Sequence, residues 1–129
     1  VEAHQGHMFS DHEKRVLSVV NLASVKDLER VVGDVVDPLR FRANLYLEGL
    51  APWEEFSWVD QTISIGSVRF KITSRIDRCG ATNVDPKTGA RDMNIPKALR
   101  QGFSHIDMGV YAAIENEGKL SCGDGIEIL

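Results

Sequence analysis

Thr62-Ile63-Ser64-Ile65-Gly66-Ser67-Val68-Arg69-Phe70-Lys71-Ile72 reads as a β-hairpin. Apolar and polar residues alternate on both sides of a two-residue Gly-Ser turn, and a leading glycine supplies the backbone that tight hairpin turns need. In the second strand Val68, Phe70 and Ile72 point one way, and Arg69, Lys71, Thr73 and Arg75 the other. Unbroken alternation would carry Cys79 onto the polar face, whereas one bulge would reverse it.

The chain then runs through Arg75-Ile76-Asp77-Arg78-Cys79-Gly80-Ala81-Thr82-Asn83-Val84-Asp85-Pro86-Lys87-Thr88-Gly89-Ala90-Arg91. Asp85 to Gly89 has turn chemistry, with proline presetting φ and glycine accepting a positive one. Cys79 is therefore expected where a strand runs out into a loop. Guanidinium groups such as Arg75 and Arg78 favour the thiolate, the form that attacks electrophiles and ligates metals. The competing reading is a small buried hydrophobe.

Toward the N-terminus, Arg15 to Leu22 is rich in β-branched residues and reads as a buried strand. Ser24 as N-cap, Asp27 at the capping-box position, Val25, Leu28, Val31 and Val32 at helical spacing, and Gly33 as terminator predict a short amphipathic helix. Arg40 to Glu48 alternates, placing Phe41, Ala43, Leu45 and Leu47 on one strand face and Arg40, Arg42, Asn44, Tyr46 and Glu48 on the other. Two arginines and an amide on one face could hold an anion; a solvated face fits the same pattern. Ala51 to Val59 reads as a loop whose aromatic residues cap a core edge, with Glu54 and Glu55 in solvent.

Toward the C-terminus, Asn94 and Pro96 start a helix from about Ile95 to Gly102. His105 and Asp107 follow in a loop, where the carboxylate could orient the imidazole or both could be solvated. Gly109 to Glu115, Gly118 to Cys122 and Gly125 to Leu129 read as short strands joined by Gly-rich turns. Cys122, at a strand end, reads as structural. Short strands and two short helices predict a mostly β fold, a small and largely antiparallel β-barrel.

The chain has 129 residues, the size of one domain, with a formal net charge of −4 from 15 basic and 19 acidic side chains. That balance argues against a general nucleic-acid binder. Two cysteines make no disulfide framework, and reduced thiols fit a cytoplasmic protein. No apolar run approaches the ~20 residues of a membrane span. Residues 1–14 form a polar leader or opening segment before a domain at 15–129. His4, His7 and His12 in that leader lack a fourth partner for a zinc site. A first residue Val1 is expected of a processed chain or of a domain from a longer protein. No phosphate loop, dinucleotide fingerprint or Ser-His-Asp signature is present.

The run from Arg75 to Gly89, together with Arg40-Phe41-Arg42-Ala43-Asn44 and with Met108-Gly109-Val110-Tyr111 plus Gly123-Asp124, resembles the MOSC domain. This is the C-terminal domain type of molybdenum-cofactor sulfurases, found also in amidoxime-reducing molybdenum enzymes and stand-alone bacterial proteins. The likeness covers Val16 to Ile128 and implies a β-barrel-like fold. It implies a molybdenum–pterin cofactor with Cys79 as the metal's thiolate ligand, or sulfur transfer with Cys79 carrying a persulfide. Arg40, Arg42, Asn44, Arg75, Arg78, Thr82 and Asn83 would then supply donors to the cofactor's phosphate and pterin oxygens or to an anionic substrate. A sulfur- or electron-donor protein is the implied partner, with no nucleic acid and no membrane. In two-domain members an N-terminal domain supplies much of the cofactor grip, so this stretch alone is expected to hold it weakly. Pyridoxal phosphate belongs to the sulfurases' separate aminotransferase-like domain, and no Schiff-base lysine site is recognisable here. The alternative is an anion-binding or interaction module on the same barrel, without turnover.

Overall fold

The computed structural model describes residues 15–129, and residues 2–3 and 8–9 as strand backbone. His4, His7 and His12 lie outside the described residues. The strands are β1 (Glu2–Ala3), β2 (Met8–Phe9), β3 (Val16–Asn21), β4 (Leu45–Glu48), β5 (Thr62–Ile65), β6 (Val68–Asp77), β7 (Asp107–Ile114), β8 (Gly118–Lys119) and β9 (Ile126–Ile128). Seven of them form one curled sheet in the order β1-β4-β3-β7-β6-β5-β9, while β2 pairs with β8. β3 and β4 run parallel and the other described pairs are antiparallel. Helix α1 (Leu22–Val32) makes the crossover between β3 and β4, and α2 (Ile95–Phe103) packs beside it. The mostly β, two-helix fold of barrel type that was expected is present, its sheet curled into a half-barrel. Among the described residues no helix is long and apolar enough to cross a membrane.

Two apolar clusters explain why β3 and β4 carry little polar alternation. Leu17, Val19, Leu45 and Leu47 join Phe70 and Ile72 on one side of the sheet. Val20 and Tyr46 turn to the other side, against Val25 and Leu28 of α1 and Ile95 and Leu99 of α2. Strands buried on both faces read as continuous apolar runs rather than alternating ones.

The hairpin forms as predicted, with Thr62 paired to Lys71, Ile65 to Val68, and Gly66 at φ 58. Helix α2 also starts as predicted, with Asn94 Oδ1 accepting the Lys97 N–H and proline in the first turn. Helix α1 begins earlier than predicted. Asn21 rather than Ser24 caps it by accepting the Ala23 N–H, and Gly33 closes it in the left-handed conformation.

Four expectations are corrected. Residues 40–48 are not one strand. Asp37 accepts the Leu39 N–H, Pro38 presets the first turn, and Pro38–Phe41 is a 3-10 turn closed by Arg42 at φ 48. Phe41 and Ala43 therefore pack in the helix-side core, while Leu45 and Leu47 pack in the other. Next, β6 bulges: Ile72 opposes Ala112 and Ser74 opposes Tyr111, leaving Thr73 as the extra residue. The alternation argument for Cys79 therefore fails. Glu55 is not in solvent but fully buried. Finally, Cys122 lies in an exposed turn beyond β8, which ends at Lys119.

Candidate functional site

Cys79 is exposed, yet its backbone is fixed. Strand β6 ends at Asp77, and the Arg78 N–H donates to the Ile106 carbonyl at 2.8 Å, tying the chain to the approach of β7. A 3-10 turn, Gly80–Asn83, follows at once. Thr82 donates to the Cys79 carbonyl from its N–H at 3.2 Å and from Oγ1 at 2.8 Å. Thr82 is itself buried, so the carbonyl faces inward and the thiol is left outside. The expectation of a thiol at a strand-to-loop junction holds, through the end of the strand rather than through alternation.

Arg78 braces this junction. Its Nε and Nη2 donate to the Met108 carbonyl at 2.9 and 2.7 Å, and Nη1 to the Phe41 carbonyl at 3.1 Å. The guanidinium also lies 5.2 Å from the Phe41 ring centroid. Burial pulls its pKa below the ordinary arginine value, and nearby Tyr111, Tyr46, Cys79 and Asp77 oppose that shift. Gly109 makes room for it. A Cβ there would meet the Val19 carbonyl oxygen at 2.5 Å and Arg78 Nη2 at 3.3 Å.

The other expected donors are placed as follows. Arg40 is buried, and its Nη2 reaches both carboxylate oxygens of Asp92 at 2.8 Å. Its Nη1 contacts the Thr82 carbonyl at 3.4 Å, so it clamps the 38–41 turn to the cysteine loop. Its Nε is buried with no hydrogen-bond partner among the described residues. Asn83 accepts the Ile95 N–H on Oδ1 at 2.7 Å, a second polar hold on the start of α2. Asn44 copies a strand pairing with Ser18, accepting its N–H at 2.8 Å and donating its own N–H to the Ser18 carbonyl at 2.9 Å. Arg75 turns elsewhere. It pairs with Asp107 at 2.8 Å and lies 4.0 Å from the Phe56 ring centroid. Arg42 is exposed. Arg40, Arg78, Thr82 and Asn83 thus converge on the cysteine loop and largely hold protein acceptors, while Arg42, Asn44 and Arg75 do not share a strand face with Arg40.

His105 belongs to an aromatic cluster. Its ring centroid is 5.4 Å from both Trp53 and Phe56, edge-on, and 6.0 Å from Phe103, stacked. Nδ1 accepts the Asp107 N–H at 2.9 Å, so the neutral ring carries its proton on Nε2. Burial first, then the charge of Arg75, pulls its pKa below the ordinary histidine value, while Asp107 opposes. The expected orienting role of Asp107 is filled by its backbone.

Sequence reasoning missed Asp92, Gly109 and Tyr111. Tyr111 is exposed and lies opposite Ser18 on β3 and Ser74 on β6, within electrostatic reach of Arg78. The Met108-Gly109-Val110-Tyr111 motif was the available signal for the last two. Among the described residues no group of three or more His, Cys, Asp or Glu could hold a metal ion.

Comparison with known proteins bears on this geometry. The chain is 30% identical over 123 residues to mitochondrial amidoxime-reducing component 1 of Mus musculus, covering 86% of this chain and 36% of that protein. It is 34% identical over 91 residues to the molybdenum cofactor sulfurase of Homo sapiens, covering 70% of this chain and 9% of that protein. It thus spans about a third of the first relative and under a tenth of the second. The crystal structure of YiiM from Geobacillus stearothermophilus superposes with a TM-score of 0.68 over all of this chain and 73% of that one, at 14% identity, which shows a shared fold. The sequence model of the MOSC domain matches residues 4–127, and the chain belongs to that family.

Proposed function

We propose that this domain presents Cys79 as the thiolate ligand of a molybdenum–pterin cofactor. The supporting observation is an exposed thiol on a backbone pinned by Thr82 and braced by Arg78. A soft thiolate suits such a metal, and a fixed strand end holds it in one place. The donor set fits in part. Arg42 and the phenol of Tyr111 can meet anionic or pterin oxygens, whereas Arg40, Arg75 and Arg78 already hold Asp92, Asp107 and two backbone carbonyls. Cofactor grip from this chain alone is therefore modest. The bound group would supply the redox chemistry; the chain positions the thiolate and keeps a positive charge beside it. A reduced thiol suits a reducing compartment such as the cytoplasm. The same exposure favours a second reading, in which Cys79 carries a persulfide delivered by a sulfur-donor protein.

One experiment separates these readings from an anion-binding module without turnover. Protein produced with molybdate is assayed for molybdenum and for cyanide-releasable sulfur, as wild type and as Cys79→Ser. Metal or sulfur present in the wild type, with the metal below one per chain, and lost in the variant is expected. The substitution should cost at most ~1 kcal/mol of stability, the range of ordinary surface changes. Equal metal and sulfur in both proteins would remove Cys79 from the function.

A further inference from the structure

We propose that Arg91 and Asn83 form an anion subsite over Gly80, the residue that follows Cys79, which favours reactants carrying a carboxylate or another oxyanion. The inference deepens the reading above and rests on Cys79 being the functional thiol. The Asp85–Gly89 turn brings Arg91 there. Asp85 N–H donates to the Ala90 carbonyl at 2.8 Å, Val84 bridges antiparallel to Arg91, and Asp92 N–H returns to the Asn83 carbonyl at 3.2 Å. The two limbs meet over the residue that follows the cysteine. The space a side chain would occupy at Gly80 is bordered by Arg91 Nη1 and Asn83 Nδ2, each 3.8 Å from the ideal Cβ position. Both are N–H donors, they come from different limbs of the loop, and the surface between them is bare glycine backbone.

Three of the surrounding guanidinium groups are occupied, and this one is not. Arg40 is held by Asp92, Arg75 by Asp107, and Arg78 by the Met108 and Phe41 carbonyls. Arg91 is exposed and, among the described residues, has no hydrogen bond or ion pair. Asn83 has committed Oδ1 to the Ile95 N–H and keeps Nδ2 for the space over Gly80. The nearby carboxylates are also engaged: Asp92 with Arg40, and Asp85 with the Lys87 N–H at 2.8 Å. A planar oxyanion can accept from both donors, and guanidinium groups bind such anions through paired N–H bonds.

The test uses two alkylating reagents that differ in charge. The Cys79 thiolate displaces iodide from iodoacetate, an anion, or from iodoacetamide, which is neutral. The ratio of the two rates cancels the thiolate fraction and leaves the effect of charge on the incoming reagent. Rates at Cys79 and Cys122 are followed separately by mass spectrometry in wild type, Arg91→Gln and Arg91→Lys. The iodoacetate-to-iodoacetamide ratio at Cys79 should fall about fivefold in Arg91→Gln, the size of one unit-charge contact near 4 Å in water. Arg91→Lys should retain part of it, and Cys122 should not change. In the wild type, added salt should lower the ratio at Cys79, which tests the subsite without any substitution. A ratio at Cys79 unmoved by both Arg91→Gln and salt would overturn the Arg91 subsite alone. Cys79 inert to both reagents in protein shown to carry neither molybdenum nor cyanide-releasable sulfur would overturn the reading of the whole site.

Discussion

Gly109→Ala should cost about 2–5 kcal/mol of stability and loosen the cysteine loop, since left-handed strain and overpacking add at this position. Gly109 has φ 83, a conformation that strains any residue with a Cβ. The added carbon would sit 2.5 Å from the Val19 carbonyl oxygen and 3.0 Å from Val20 Cγ2. The carbonyl belongs to a residue paired with Val110 in the β3–β7 ladder, so it cannot retreat without opening the sheet between the two cores. The register slips at this place too, from Arg75 opposite Val110 to Asp77 opposite Asp107, which turns Met108 toward the helix-side core. The third neighbour is Arg78 Nη2, which would lose its seat on the Met108 carbonyl. Two readouts are expected to move together: a lower urea midpoint, and a changed rate of iodoacetamide labelling at Cys79. A variant within ~1 kcal/mol of wild type would mean that β7 can shift to accommodate the methyl group, and that Arg78 is not fixed by the glycine.

What the sequence made legible was local. The Thr62–Ile72 hairpin follows from period-two alternation and a single glycine turn, and α2 follows from Asn94 as cap with Pro96 two positions later, in the first turn. Arg40 to Glu48 misled because the apolar spacing survives the 3-10 turn. Phe41 and Ala43 meet one core and Leu45 and Leu47 the other, so the alternation has two causes. The site was legible as a set of residues but not as a set of bonds. Cys79 is exposed at a strand end, as its turn-rich surroundings suggest. Which acceptor each guanidinium finds depends on contacts such as Arg40 with Asp92, 52 positions along the chain, and no local pattern encodes that. Glu55 shows the same gap. A Glu-Glu doublet in a loop looks solvated, and only the fold brings Asn21 and Ser24 onto the second carboxylate.

Glu55→Gln should make the protein more stable than wild type at neutral pH and flatten part of its dependence on pH. Glu55 is fully buried between α1 and the 54–58 turn. Asn21 Nδ2 donates to Oε1 at 3.1 Å, and Ser24 Oγ lies 3.0 Å from each carboxyl oxygen. The same serine accepts the Trp53 N–H at 2.8 Å, and the same amide donates to the Ala51 carbonyl at 2.9 Å, so one polar knot holds the aromatic loop to the helix. Burial pushes the carboxyl above its ordinary value of 4.5; the Asn21, Glu55 backbone and Ser24 hydrogen bonds pull back, and the charge of Glu54 adds to the rise. The folded protein therefore keeps this proton to a higher pH than the unfolded chain does. Its contribution to stability is complete below pH 4.5 and is lost as pH rises through the folded value, because unfolding then releases a proton. Each unit of separation between the two pKa values is worth about 1.4 kcal/mol. Glutamine keeps the shape and the accepting oxygen without the charge, so its advantage should appear only as pH rises. Alanine should lose about 2–4 kcal/mol even at acid pH, because it leaves a cavity and strands the buried polar groups of Asn21 and Ser24. Urea unfolding of the three proteins from acid to neutral pH separates the terms, since the other titrating groups cancel in the differences. A wild-type-minus-Gln difference that stays constant with pH would show that Glu55 titrates alike in both states, and that burial is not holding its proton.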